Sequence, residues 1–161
     1  MSTFPVTPAG HEKLKRELQQ LKSVERLKIS KEIGAARELG DLSENFEYHA
    51  AKDRQGMIEA KIRDIEDKLS RAQVIDPTKL SGDRVVFGAI VVLADCDTEE
   101  ERVFQIVGEV EAEAERGLIS VNSPVARSLI GKEVGDEVKV PGKGGPRLME
   151  IVEVKFSTQA P

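Results

Sequence analysis

Two apolar stripes of similar spacing, one on each side of residue 43, constrain the fold of this chain most strongly. In the second stripe, Ala51, Gln55, Ile58, Ile62, Ile65, Leu69 and Ala72 alternate steps of four and three, the a/d seam of a heptad repeat. In the first, Leu14, Leu18, Leu21, Ile29, Ile33 and Ala36 recur on one face, with Glu25 interrupting the seam. Thr7 as N-cap and Pro8 at the first helical position open one helix that is predicted to run to about Glu38. Leu14 with Ala72, Leu18 with Leu69, Leu21 with Ile65 and Ile29 with Ile58 have index sums of 86 or 87. A near-constant sum is what an antiparallel hairpin requires, and half of it falls on Ser43. Gly40 is placed to end the first helix with a positive φ. Each arm of about 29 residues extends roughly 43 Å at 1.5 Å per residue. Neither helix carries a second apolar stripe, so a projecting two-helix arm is expected rather than a piece of a larger bundle.

After Asp76-Pro77 the periodicity changes. Val85–Leu93 is rich in Val and Ile, and Arg102–Val107 and Leu118–Val121 follow as predicted strands. Ser123 as N-cap and Pro124 at N1 open a short helix to about Ile130, which Gly131 closes. Glu137–Val140 and Leu148–Phe156 complete the strands, joined by the turn Pro141-Gly-Lys-Gly-Gly-Pro146. That glycine run lacks the strand-before, helix-after context of a phosphate loop. The class is therefore α+β. An antiparallel coiled-coil hairpin is expected over residues 1–76 and a small antiparallel β domain with one short helix over 77–161, with Asp76-Pro77-Thr78 as hinge.

Composition narrows the function. A third of the residues are charged, 4% are aromatic and none is Trp, which suits long solvated helices. The apolar run Phe87–Ala94 is far too short to span a membrane, and Met1-Ser-Thr-Phe-Pro lacks the layout of a signal peptide. Cys96, the single cysteine, excludes an internal disulfide and suits a reducing cytoplasm; between Asp95 and Asp97 it reads as a bland thiol. The net charge of −5 divides into +1 over residues 1–75 and −6 over the rest. Affinity built on nucleic-acid phosphates calls for a basic protein, so a protein surface is the better partner than free DNA or RNA.

Asp41-Leu-Ser-Glu44 sits at the bend. One reading is a capping box for the second helix, with carboxylates favoured by the helix dipole. The other is a Mg²⁺-related pair. Mg²⁺ takes near-octahedral oxygen ligands and often binds only one or two carboxylates, so two acids at the end of an arm suit a site completed by a partner. Spacing alone leaves both open, and they are compatible.

The run Ala36-Arg-Glu-Leu-Gly-Asp-Leu-Ser-Glu-Asn45, continuing Phe-Glu-Tyr-His-Ala-Ala-Lys52, resembles the signature of the GreA-type transcript cleavage factors. Leu118-Ile-Ser-Val-Asn-Ser-Pro-Val-Ala-Arg-Ser-Leu-Ile-Gly-Lys132 resembles the C-terminal signature of the same Gre family, and Val74-Ile-Asp and Val86-Phe-Gly-Ala89 fit it at consistent spacing. The resemblance implies a factor that is no nuclease alone. Its coiled coil would enter the secondary channel of bacterial RNA polymerase and stimulate hydrolysis of backtracked nascent RNA at the polymerase's own Mg²⁺ centre. It places the catalytic and metal-sharing roles on Asp41 and Glu44, with no tightly bound cofactor. The implied partners are the polymerase and the RNA 3′ end, for a monomer in the bacterial cytoplasm with no membrane contact.

Arg37 and Lys52 match basic positions near the tip, where they either meet RNA phosphates or balance nearby acids. Ser43 matches a variable position and serves spacing; Asn45 and Tyr48 belong to the motif, with Tyr48 expected to pack across the helices. Phe46 departs from the small residue expected there, and a lone His49 suggests no metal. The resemblance also implies an FKBP-like second domain docking on the polymerase rim through Asn122, Ser123 and Pro124, two of which a helix cap explains equally well. Five Phe and one Tyr leave no aromatic-lined pocket to suggest prolyl isomerase activity. Two alternatives are a same-fold inhibitor of the channel, disfavoured by retention of both tip acids, and a generic coiled-coil scaffold, excluded only by the two signatures.

Overall fold

A computed structural model describes residues 3–156; Met1, Ser2 and 157–161 lie outside the described residues, including the first two positions of the N-terminal stretch considered above. The elements are β1 (Phe4–Val6), α1 (Pro8–Gln20), α2 (Arg26–Arg37), α3 (Phe46–Arg71), β2 (Ala72–Val74), β3 (Ala89–Asp95), β4 (Glu101–Val107), β5 (Leu118–Ser120), α4 (Pro124–Leu129), β6 (Glu137–Val140) and β7 (Arg147–Phe156). They form two compact units. One contains Glu12–Arg71, and the other contains Thr3–His11 together with the chain from Ala72 onward. This is the expected α+β order, a helical hairpin followed by a β-rich unit with one short α-helix.

In the helical unit, Leu14, Leu21, Ile29, Ile33 and Ala36 are buried on the first arm, and Ala51, Ile62 and Ile65 on the second. Burying each Leu or Ile side chain here stabilises by about 1.5–3 kcal/mol, enough to hold two helices whose outer faces are charged. Across the seam, Lys22 pairs with Glu66, Arg26 with Glu59 and Arg54 with Glu32, each at 2.8 Å. The Arg26 guanidinium donates through both Nε and Nη2, and that hydrogen-bonded contact holds the Glu59 carboxyl below its ordinary pKa. Exposed pairs add little stability, but opposite charges on facing residues favour this register over shifted ones.

The first arm is not one uniform α-helix. Leu21–Glu25 forms a π-helical turn between α1 and α2. Its cause is in the numbering: Leu21 and Ile29 are eight residues apart, one more than a heptad, and a π turn takes up one extra residue. The interruption of the seam at Glu25 marks this place.

A second difference concerns Ala72. It does not continue the helical stripe opposite Leu14 but starts β2, which pairs in parallel with β1, Phe4 against Ala72 and Val6 against Val74. Thr7 caps α1, accepting from the Gly10 N–H at 3.1 Å. Glu111 accepts from the Thr7 N–H, the Thr7 hydroxyl and the Gly108 N–H at 2.6–2.9 Å. At the predicted hinge, Asp76 caps a 3₁₀ turn over Pro77–Lys79, accepting from both the N–H and hydroxyl of Thr78.

The sheet of the second unit has the order β5-β4-β3-β7-β6. All pairs are antiparallel except β4 with β5, which is parallel, so the sheet is antiparallel-rich as expected. The predicted strand at Val85 begins only at Ala89. Gly88, at φ +90°, turns the chain there, and Val85 hydrogen-bonds with Lys132 and Gly131 instead. Val91, Leu93, Ile106, Leu129 and Ile151 form the fully buried centre of the core. Asp95, at the end of β3, is buried and accepts from the Asp97 and Thr98 N–H groups and from Arg147 Nε at 2.7 Å. Cys96 is exposed; desolvation, then the charge of Glu137, pushes its thiol pKa up, away from reactivity.

Candidate functional site

The bend is built by a helix end, a short turn and a helix start. Glu38 and Leu39 donate to the carbonyls of Ala35 and Ala36 in a tightened last turn. Gly40 then adopts φ +122°, which an L side chain rarely tolerates, and the chain reverses. Leu42–Glu44 forms one 3₁₀ turn, closed by Glu44 N–H donating to the Asp41 carbonyl at 3.3 Å. Asn45 follows. Its Oδ1 accepts from the Tyr48 N–H at 3.0 Å, the geometry of an N-cap, and its Nδ2 donates to the Ala36 carbonyl at the end of α2.

One amide therefore joins the end of the first arm to the start of the second. The capping-box reading is corrected accordingly. The helix begins at Phe46, after the 3₁₀ turn, so Asn45 is the cap of α3, while Asp41 precedes and Glu44 ends the turn before it. The signal was present, since an Asn in the stretch ahead of the periodic stripe is a start signal, but Asp41 and Ser43 offered competing ones. Ser43 is the middle residue of the turn; its side chain lies outside the described ones.

Asp41 and Glu44 are both exposed and line one open depression of about 400 Å³ with Leu39, Asn45, Phe46 and Glu47. Their hard carboxylate oxygens suit Mg²⁺, but two side chains supply only part of its coordination. Among the described residues no group of three or more His, Cys, Asp or Glu is placed to hold a metal. An ion here would take its remaining ligands from outside this chain.

Tyr48 packs on the hairpin cluster of Ile29, Ile33 and Ala51. The Arg37 guanidinium lies 6.0 Å from the centre of the Tyr48 ring, and His49 meets the same ring edge-on at 5.4 Å. Lys52, exposed one turn further on, donates to Gln55 at 3.1 Å. In the second unit, Ser123 caps α4, accepting from the Ala126 N–H at 3.2 Å, with Pro124 in its first turn. Asn122 is exposed and donates to Glu109 at 3.0 Å. Beside these residues lies a groove of about 700 Å³ whose lining includes Ile119, Val125, Val140 and Met149, with Phe104 the only aromatic among the described residues that line it.

A family model described as transcription elongation factor, N-terminal, matches residues 4–74, and one described as transcription elongation factor, GreA/GreB, C-term, matches residues 80–156. The chain belongs to the GreA/GreB family. The transcription elongation factor GreA of Alkalilimnicola ehrlichii is 56% identical over 158 residues, covering 98% of this chain and 100% of that one. The GreA of Brucella anthropi is 53% identical over 156 residues, covering 97% and 99%. Among solved structures, GreA factor homolog 1 of Thermus thermophilus is 29% identical with a TM-score of 0.43, covering 94% of this chain and 98% of its own. The GreA/GreB factor from Nitrosomonas europaea is 21% identical with a TM-score of 0.44, covering 97% and 100%. As a Gre-family member the chain is a transcription elongation factor, and no described helix is long and apolar enough to cross a membrane.

Proposed function

We propose that this factor binds bacterial RNA polymerase, inserts the hairpin into the secondary channel and stimulates the polymerase's own hydrolysis of backtracked RNA. The observation that carries the proposal is the pair Asp41 and Glu44, both exposed on one short turn between two long helical arms, in a chain of this family. Mg²⁺ shared by this pair and the polymerase would polarise the attacking water and neutralise charge on the leaving oxygen. The chain's own contribution is placement. Asn45 ties both arms together immediately beside the carboxylates, so they arrive on a pre-formed turn and the entropy of ordering them is spent on folding. Arg37 and Lys52 are exposed near the tip and supply positive charge for the phosphates of the extruded strand. Asn122, Ser123 and Pro124 form the docking loop on the channel rim, with Ser123 also capping α4. The factor works as a monomer in the cytoplasm.

Halted, backtracked complexes with Mg²⁺ and this protein are expected to release short 3′-terminal RNA fragments, chiefly di- and trinucleotides. Asp41→Asn or Glu44→Gln lowers the rate by about 10²-fold or more while polymerase affinity stays within about twofold. Cleavage by the double variant at the normal rate would overturn the mechanism.

A further inference from the structure

Phe46 is the most exposed large apolar side chain among the described residues, at 87%. Folding does not account for it, because the neighbouring hairpin cluster takes in Tyr48 and Ile58 instead. A single exposed apolar residue is ordinary on a protein surface. Its setting here is not. Phe46 and Leu39, itself 65% exposed, line the same depression as Asp41 and Glu44, so one small hollow at the bend has apolar walls and acidic walls.

A nucleotide has matching chemistry: an apolar base with a π-face, and a phosphate that approaches carboxylates only through a cation. An acidic hollow repels bare phosphate, so contact made within the hollow itself favours the base, while Arg37 and Lys52 lie outside it for the phosphates. Stacking on an aromatic ring supplies that contact without preference among bases, since each has a π-face. That tolerance suits a site that meets transcripts of any sequence. We infer that Phe46 is a substrate-contacting platform on which the unpaired 3′-terminal base of the RNA stacks, while Asp41 and Glu44 face a phosphodiester further back in the same unpaired segment. This rests on the cleavage function proposed above.

The test is a thermodynamic cycle in which the RNA stays uncut. The affinity of the full-length D41N/E44Q protein is measured for backtracked complexes whose 3′-terminal nucleotide is either normal or abasic, with Phe46 present and with F46A added. Removing the base weakens the Phe46 protein about fivefold or more. The F46A protein starts weaker and loses nothing further, whereas F46W keeps the base dependence. Equal loss in both arms of the cycle overturns the inference. So does F46L binding as tightly as Phe46, or F46A weakening attachment equally to complexes without backtracked RNA, which would put the ring against polymerase. Because the cycle reads binding, with Mg²⁺ withheld so that no complex is cut, it gives its answer whether or not Asp41 and Glu44 prove to drive hydrolysis.

Discussion

Replacing Asn45 by alanine removes two hydrogen bonds at the bend. Loss of the cap to the Tyr48 N–H costs about 1 kcal/mol, and loss of the bond to the Ala36 carbonyl about another 1 kcal/mol. The sum, about 2 kcal/mol, is roughly a 30-fold increase in local opening at the start of α3. Because the two units need not unfold together, the suitable readout is amide hydrogen exchange at Tyr48 and His49 rather than a global melt. Asn45→Asp separates the two bonds. Aspartate caps about as well as asparagine but donates nothing to Ala36, so exchange rises only about fivefold. In both variants stimulated RNA cleavage falls further than polymerase binding, since the carboxylates are misplaced and the docking loop is untouched. If N45D exchanges as fast as N45A, or if neither differs from the parent, the two-sided role of Asn45 is wrong.

Deleting Val24 from the π turn brings Leu21 and the former Ile29 seven residues apart, restoring a regular heptad. The variant should melt within about 1 kcal/mol of the parent and cleave normally, whereas deleting Lys31, inside α2, should shift the seam and lower stability clearly; equal loss from both deletions would refute the register account. Asp95 makes a pH prediction. Hydrogen bonds from the Asp97 and Thr98 N–H groups, then Arg147, hold its pKa below the ordinary carboxylate value. Its contribution is thus fully present above the ordinary carboxylate range and is lost as pH falls through the lowered pKa. Thermal melts at neutral and acid pH should show Asp95→Asn less stable than the parent at neutrality, with a shallower decline in acid.

The hairpin was legible because a heptad seam repeats often enough to be tested against itself, and four residue pairs agreed on the bend. It failed at Ala72, where the seam's last member carries no information on whether the helix goes on. The pairing of Phe4–Val6 with Ala72–Val74 was invisible for a related reason: three-residue strands show no period, and their partner is distant in sequence. At Val85 a β-rich composition hid the break, which depends on the backbone of Gly88. The site divides in the same way. The exposed bend follows from periodicity and geometry. The roles of Asp41 and Glu44 come from the surrounding signature, since an acid pair at a helix start is chemically commonplace. Phe46 drew notice only as a departure from the family pattern; its exposure beside the acids required coordinates.

The pairing of β1 with β2 has a bearing on how this chain can be cut and re-engineered. Measured along the sequence, the hairpin is an insertion: the β unit begins at its N-terminal strand, is interrupted for the two arms, and resumes at Ala72. A fragment beginning at residue 77 would discard two strands, uncover what Phe4 and Val6 now shield, and leave Glu111 without its Thr7 donors. A better separation keeps residues 3–11, joins them to Ala72 through a short flexible linker, and excises the arms as a cassette. The same topology makes arm length adjustable, because whole heptads can be removed from both arms together, each shortening them by about 10 Å, without altering the strands at one end or the Asn45 bridge at the other.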